Sequence, residues 1–137
     1  MVAGGRIDEY ADPLGANRWP IEICRVATND PEAFVEAARE VAFNCDGAVV
    51  ITADGTIQGQ MFRIRSPSVE MVSERQNVEY TDWMRTKRLS ALEASIREKV
   101  LVAVALSEED GRVTVFEDGT YADYGRDELG GRWQPER

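Results

Sequence analysis

The stretch "MRTKRLSALEAS", Met84 to Ser95, sets a hydroxyl and two cations, Thr86, Lys87 and Arg88, directly before an apolar helical pattern. A helix start offers unpaired backbone N–H groups and the positive end of the helix dipole, so cations and a hydroxyl placed there can receive a phosphate. The same residues also make an ordinary solvated helix face. Trp83, just ahead of them, can stack on a base or anchor the helix by packing. The rest of the chemistry is bounded by composition. The chain contains no histidine, which removes Ser-His-Asp and Cys-His nucleophilic systems, His-ligated zinc and imidazole acid–base work. Catalysis would have to use carboxylates, hydroxyls, basic side chains or a borrowed metal.

The formal net charge of −9 opposes binding to nucleic acid polymers, because a phosphate backbone is held mainly by Lys and Arg. A small anionic ligand in a local basic pocket remains open. Of the 16 basic residues only Lys87 and Lys99 are lysines, a bias that fits a salt-rich (halophile) cytoplasm and a GC-rich genome equally. Cys24 and Cys45 lie far apart without ligand-like spacing, which argues for reduced, partly buried thiols and against a zinc site, with a disulfide as the lesser alternative. A length of 137 residues suits one globular unit. Apolar runs such as "VLVAVAL" are too short to span a membrane, and the N-terminal stretch has no apolar signal-like region, so the expected location is the cytoplasm.

The elements that must carry these residues read as follows. Residues 1–16 look like an irregular arm, 17–124 a domain and 125–137 a polar tail. "WPIEICRVAT" alternates as a short strand. "NDPEAFVEAAREVAFN" is a helix, with Asn29 or Asp30 as cap, Pro31 at its first position and Phe34, Val35, Ala38, Val41 and Ala42 as its apolar stripe. "GAVVITADGTIQGQMFRI" is a hairpin turning at Asp54-Gly55, with 48–51 a buried central strand. A second helix is expected over 82–98 with Leu89, Leu92 and Ile96 on one side, then "VLVAVAL" as a second buried strand and "RVTVFEDG" as an alternating strand closed by Asp-Gly. This succession predicts a mixed α/β (α+β-like) fold, a central sheet flanked by helices.

Three motifs in this frame, "CDGAVVI" at 45–51, "TKRLSALEAS" at 86–95 and "LSEEDGRVTVFEDG" at 106–119, together resemble the diadenylate cyclase domain, the catalytic unit of the DNA-integrity scanning protein and its relatives. The likeness covers roughly residues 30–121. It implies a mixed sheet with helices, and two domains face to face, each holding ATP with Mg²⁺ or Mn²⁺. The pair of ATP molecules would be joined into cyclic di-AMP with loss of pyrophosphate. By the same resemblance Asp46 holds metal and assists the attacking ribose hydroxyl, while Gly47 and Ala48 let the nucleotide approach the backbone. Thr86, Lys87 and Arg88 receive the triphosphate, and Ser107, Glu108 and Glu109 border the nucleotide. Metal and aligned donors are what displacement at an α-phosphate needs. The implied partners are ATP or cyclic di-AMP and a second copy of the chain or an active cyclase paralogue, with no nucleic acid and no membrane.

The chain departs from the family's Thr-Arg-His-Arg motif. Lys87 stands for the first arginine, Arg88 for the histidine and Leu89 for the last arginine. Lysine supplies charge without a bidentate fork, and leucine supplies neither. Two functional readings therefore stand side by side: an active nucleotidyltransferase, and a degenerate homologue that binds ATP or cyclic di-AMP or regulates an active cyclase. Each motif also has a structural reading. Asp46-Gly47 suits a helix-to-strand turn, and Ser107 to Gly111 suits a hairpin turn.

Overall fold

Seven strands and three α-helices make up a computed structural model that describes residues 1–75, 77–107 and 111–125. The strands are β1 (Val2–Ala3), β2 (Ala11–Pro13), β3 (Ala48–Ile51), β4 (Ile57–Ile64), β5 (Val100–Leu106), β6 (Val113–Glu117) and β7 (Thr120–Tyr124). The helices are α1 (Pro31–Asn44), α2 (Val69–Ser73) and α3 (Thr86–Ser95). The strands form one mixed sheet in the order β2-β4-β3-β1-β5-β6-β7, so the fold is mixed α and β as the succession of helical and strand patterns predicts. The chain divides into two compact units, Met1–Ser66 with Lys99–Leu101, and Pro67–Glu98 with the described residues from Val102 onward. No helix among the described residues is long and apolar enough to cross a membrane.

In the first unit the expected irregular arm is instead partly sheet. β1 runs parallel to β3 (Val2 beside Ile51), and β2 runs antiparallel to β4 through Ala11–Ile64, Asp12–Arg63 and Pro13–Phe62. Burial of Ala3, Tyr10 and Ala11 with Val100 accounts for the ordering of so short a segment. The expected strand over 19–28 is a turn. Ile23 and Cys24 both donate their N–H to the Pro20 carbonyl at 3.0 Å, and the Trp19 indole donates to the Cys24 carbonyl at 2.7 Å. Only Val26 reaches a ladder partner, Thr56. Local bonds have taken the groups a strand would need.

Helix α1 begins as its sequence predicts. The Asp30 carboxylate accepts from the N–H groups of Glu32 and Ala33, both at 3.1 Å, and Pro31 takes the first turn. Its packed face is turned from the expected stripe. Ala37 and Val41 are buried with Trp19, Cys24 and Ile57, while Ala33, Phe34 and Ala38 pack beside them. Val35 is 52% exposed and Ala42 lies in solvent. The 33, 34, 37, 38, 41 series keeps helical spacing, and the Trp19 ring, 5.8 Å from Phe34, decides which side is covered. β3 and β4 form the expected hairpin. Gly55 has φ +88°, and the Asp54 carboxylate accepts from the Thr52 hydroxyl (2.6 Å) and the Thr56 N–H (3.0 Å).

In the second unit α3 is shorter than the 82–98 expectation, because Arg85 is extended and the chain tightens after Ser95, where the Ile96 and Arg97 N–H groups bond to the carbonyls of Glu93 and Ala94. Leu92, Ala94, Ser95 and Ile96 are buried, with α3 packed on β6 and β7. β6 and β7 are joined by Asp118 (φ +47°) and Gly119 (φ +79°), the two positive φ values of a type I′ hairpin turn. The Ser95 hydroxyl accepts from the Gly119 N–H at 3.0 Å and donates to the Leu92 carbonyl at 2.6 Å, fastening the helix end to that turn. β5 is not the fully buried strand its composition predicts. Val100, Ala103 and Ala105 are buried, but Leu101, Val104 and Leu106 are 58%, 52% and 53% exposed.

Candidate functional site

The Asp46-Gly47-Ala48 motif lies in the first unit, between α1 and β3. Cys45 ends the helix by donating its N–H to the Val41 carbonyl at 2.9 Å, and Ala48 opens β3 opposite Phe62. Gly47 has φ +92°, and a Cβ there would lie 2.9 Å from the Met61 Cα and 3.0 Å from its carbonyl carbon. Met61 is itself left-handed, at φ +65°, where the β3–β4 register shifts between Ala48 and Val50. The bulge brings β4 backbone against Gly47, so this glycine has a packing reason that involves no ligand. Asp46 is exposed, and no other described residue bonds its carboxylate. Its backbone carbonyl accepts from the Gln60 side-chain amide at 2.7 Å. Gln60 is only 1% exposed, its N–H donates to Asn17 Oδ1 at 2.9 Å, and its Oε1 has no partner among the described residues. Gln60 thus holds the Asp46 turn from below, a role the sequence did not signal.

Among the described residues there is no cluster of three or more His, Cys, Asp or Glu side chains able to hold a metal. Mg²⁺ is commonly bound by one or two carboxylates, with phosphate and water supplying the remaining oxygens. Asp46, exposed and unpaired among the described residues, has the donor chemistry for that mode and would provide a protein ligand.

The phosphate-type residues lie in the second unit. An open cleft of about 470 Å³ is lined by Trp83, Arg85, Lys87, Arg88, Ala105, Leu106 and Ser107. Among the described residues, three cations and no carboxylate line it, in a chain of net charge −9. The first turn of α3 has no acidic residue, and the Arg85 side chain does not cap it. Lys87 Nζ donates to the carbonyl of Leu106, another lining residue, at 2.6 Å. The Arg88 guanidinium lies 5.5 Å from the centroid of the Trp83 ring and donates from Nε to Thr114 Oγ1 at 3.4 Å. Trp83 meets Tyr121 edge-on at 5.6 Å and is still 46% exposed, so it is both packed and open.

Of the residues singled out from sequence, Lys87, Arg88 and Ser107 come together in this cleft. Thr86 is exposed at the first position of α3 and is not among the lining residues. Ser107 donates its N–H to the Arg112 carbonyl at 2.8 Å and accepts from the Gly111 N–H at 3.1 Å, the bonding of a hairpin turn. Glu108 and Glu109 lie outside the described residues, as does the expected tail apart from Gly125. Leu89 is half-buried. Sequence reasoning missed Arg85, although it stands directly before the motif, and Thr114, whose contact with Arg88 depends on strand register. No protein-family model matches the chain, and no curated protein matches it.

Proposed function

We propose that the chain binds ATP and joins two molecules of it into cyclic di-AMP with release of pyrophosphate, in the manner of the diadenylate cyclases it resembles. The observation that carries the reading is the cleft of the second unit, with Arg85, Lys87 and Arg88 around an indole and no carboxylate among the described residues that line it. Charge-assisted hydrogen bonds of this kind contribute about 1.5–3 kcal/mol each. In this reading Lys87 and Arg88 hold phosphate charge and Trp83 offers a face to the base, while Asp46, by the resemblance, would hold the metal and assist the attacking ribose hydroxyl. Mg²⁺ or Mn²⁺, when bound, would neutralise charge developing on the phosphates. The reaction needs ATP and two copies of the site, so the proposal includes a cytoplasmic location and a homo-oligomer or a pairing with an active cyclase paralogue. Both cysteines are free thiols, consistent with a reducing compartment.

Leu89 favours a second reading, a relative that binds ATP or cyclic di-AMP without turnover, because it brings no charge to the fourth place of the phosphate motif. Mass spectrometry of the purified protein incubated with ATP and Mn²⁺ or Mg²⁺, at low and at molar salt, separates the two. Cyclic di-AMP that disappears in Asp46→Asn supports the enzyme. Saturable ATP binding without product supports the binder, and the absence of both in folded protein rejects the nucleotide reading.

A further inference from the structure

Thr114 is fully buried on β6, yet its hydroxyl has two polar neighbours, Arg88 Nε at 3.4 Å and Asp123 Oδ1 at 2.9 Å. The directions of both bonds are forced. A guanidinium cannot accept and a carboxylate cannot donate, so Thr114 receives the Arg88 N–H and gives its own proton to Asp123. The other Asp123 oxygen accepts from Arg112, from Nε at 3.0 Å and from the terminal nitrogen at 2.7 Å. Asp123 is therefore charge-paired with Arg112, and reaches Arg88 only through the neutral hydroxyl. Arg88 is fixed in two ways at once, by its Nε on Thr114 and by its guanidinium over Trp83. Its two terminal nitrogens have no hydrogen-bond partner among the described residues.

We infer that Thr114, oriented by Asp123, is a positioning residue that aims the free terminal fork of Arg88 into the cleft to receive a phosphate group. The inference rests on the nucleotide reading above and adds the device by which an arginine serves there. An arginine on a long flexible stem loses rotamer freedom when it grips an anion, and a side chain already tied at Nε has less to lose.

The test uses the full chain. In proton–nitrogen correlation spectra the Arg88 Nε–H signal, assigned by its loss in Arg88→Lys, is expected to shift and to exchange faster with water in Thr114→Val, and to keep its position in Thr114→Ser. Titration with MgATP, and with inorganic triphosphate as a base-free probe, is expected to show affinity weakened about fivefold or more in Thr114→Val, on the scale of one lost hydrogen bond. Thr114→Ser should restore it, and Thr114→Val should add nothing in the Arg88→Lys background. An unchanged Nε–H signal in folded Thr114→Val overturns the inference. So does full affinity in that variant. Wild-type protein that binds neither probe overturns the nucleotide reading itself, a result distinct from wild-type binding that Thr114→Val leaves intact.

Discussion

Gly47→Ala is expected to destabilise the first unit whether or not the protein ever meets a nucleotide. Alanine at a left-handed position costs about 1–2 kcal/mol. The added methyl would stand 2.9 Å from the Met61 Cα and 3.1 Å from a Leu14 methyl. The Leu14 side chain can turn aside. Met61 cannot, because its carbonyl accepts the Leu14 N–H at 2.7 Å. Forcing the methyl in costs about 1–3 kcal/mol more. The sum, about 2–5 kcal/mol, is a large part of the roughly 5–15 kcal/mol that holds a domain folded. Urea unfolding followed by circular dichroism should show a midpoint lowered by about 0.7 M or more, given slopes near 1–3 kcal/mol per molar. Asp46→Asn, beside it and exposed, should leave the midpoint where it was. A Gly47→Ala protein with the wild-type midpoint would refute the packing account. If that protein also lost its stabilisation by ATP, Gly47 would be assigned to the ligand.

Ser95→Ala leaves the buried Gly119 N–H without an acceptor and should cost about 1–3 kcal/mol in the same urea assay, with the loss concentrated in amide exchange of the α3 and β6–β7 residues. Asp54 is held below its usual carboxylate range by the Thr52 hydroxyl and then by Thr56. Its contribution is therefore present above the unfolded value of 3.8 and lost as pH falls through the lower folded value. Asp54→Asn should flatten the acid limb of a thermal-stability profile below about pH 4, and an unaltered limb would contradict this. The Tyr80 phenol is pushed above 10.0, first by burial, then by the charge of Glu93 and by the hydrogen bond to it. Because the folded state keeps the proton longer, stability should fall as pH rises above 10.0 toward the folded value. In the difference titration of phenolate absorbance against Tyr80→Phe, Glu93→Gln should return the midpoint only part of the way.

The sequence was most legible where a local rule has no competitor. Asp30-Pro31 set the start of α1, and Asp54-Gly55 and Asp118-Gly119 set two hairpin turns, because capping and positive φ are decided within a few residues. β1 and β2 were hidden because strands of two and three residues carry no period of their own and exist through distant partners such as Ile51 and Ile64. The 19–28 segment misled because its alternation was real, while one indole bond from Trp19 to the Cys24 carbonyl bent it into a turn. The site divided along the same line. Lys87 and Arg88 could be read from their place at a helix start, whereas Thr114 joins Arg88 across 26 residues by strand register.

The exposed side chains of β5 bear on how the protein behaves in the test tube. "VLVAVAL" is seven residues long, rich in β-formers, without charge, proline or glycine, and Leu101, Val104 and Leu106 already meet water in the folded state. Such a segment is a template for stacking with its own copies once the chain opens. Glu98 and Lys99 stand as charged gatekeepers on one side, and the net charge of −9 keeps chains apart at low ionic strength. Molar salt shortens the screening length to about 3 Å and removes that long-range repulsion. Refolding yield should therefore drop as salt is added, and replacing Val104 with lysine should recover it.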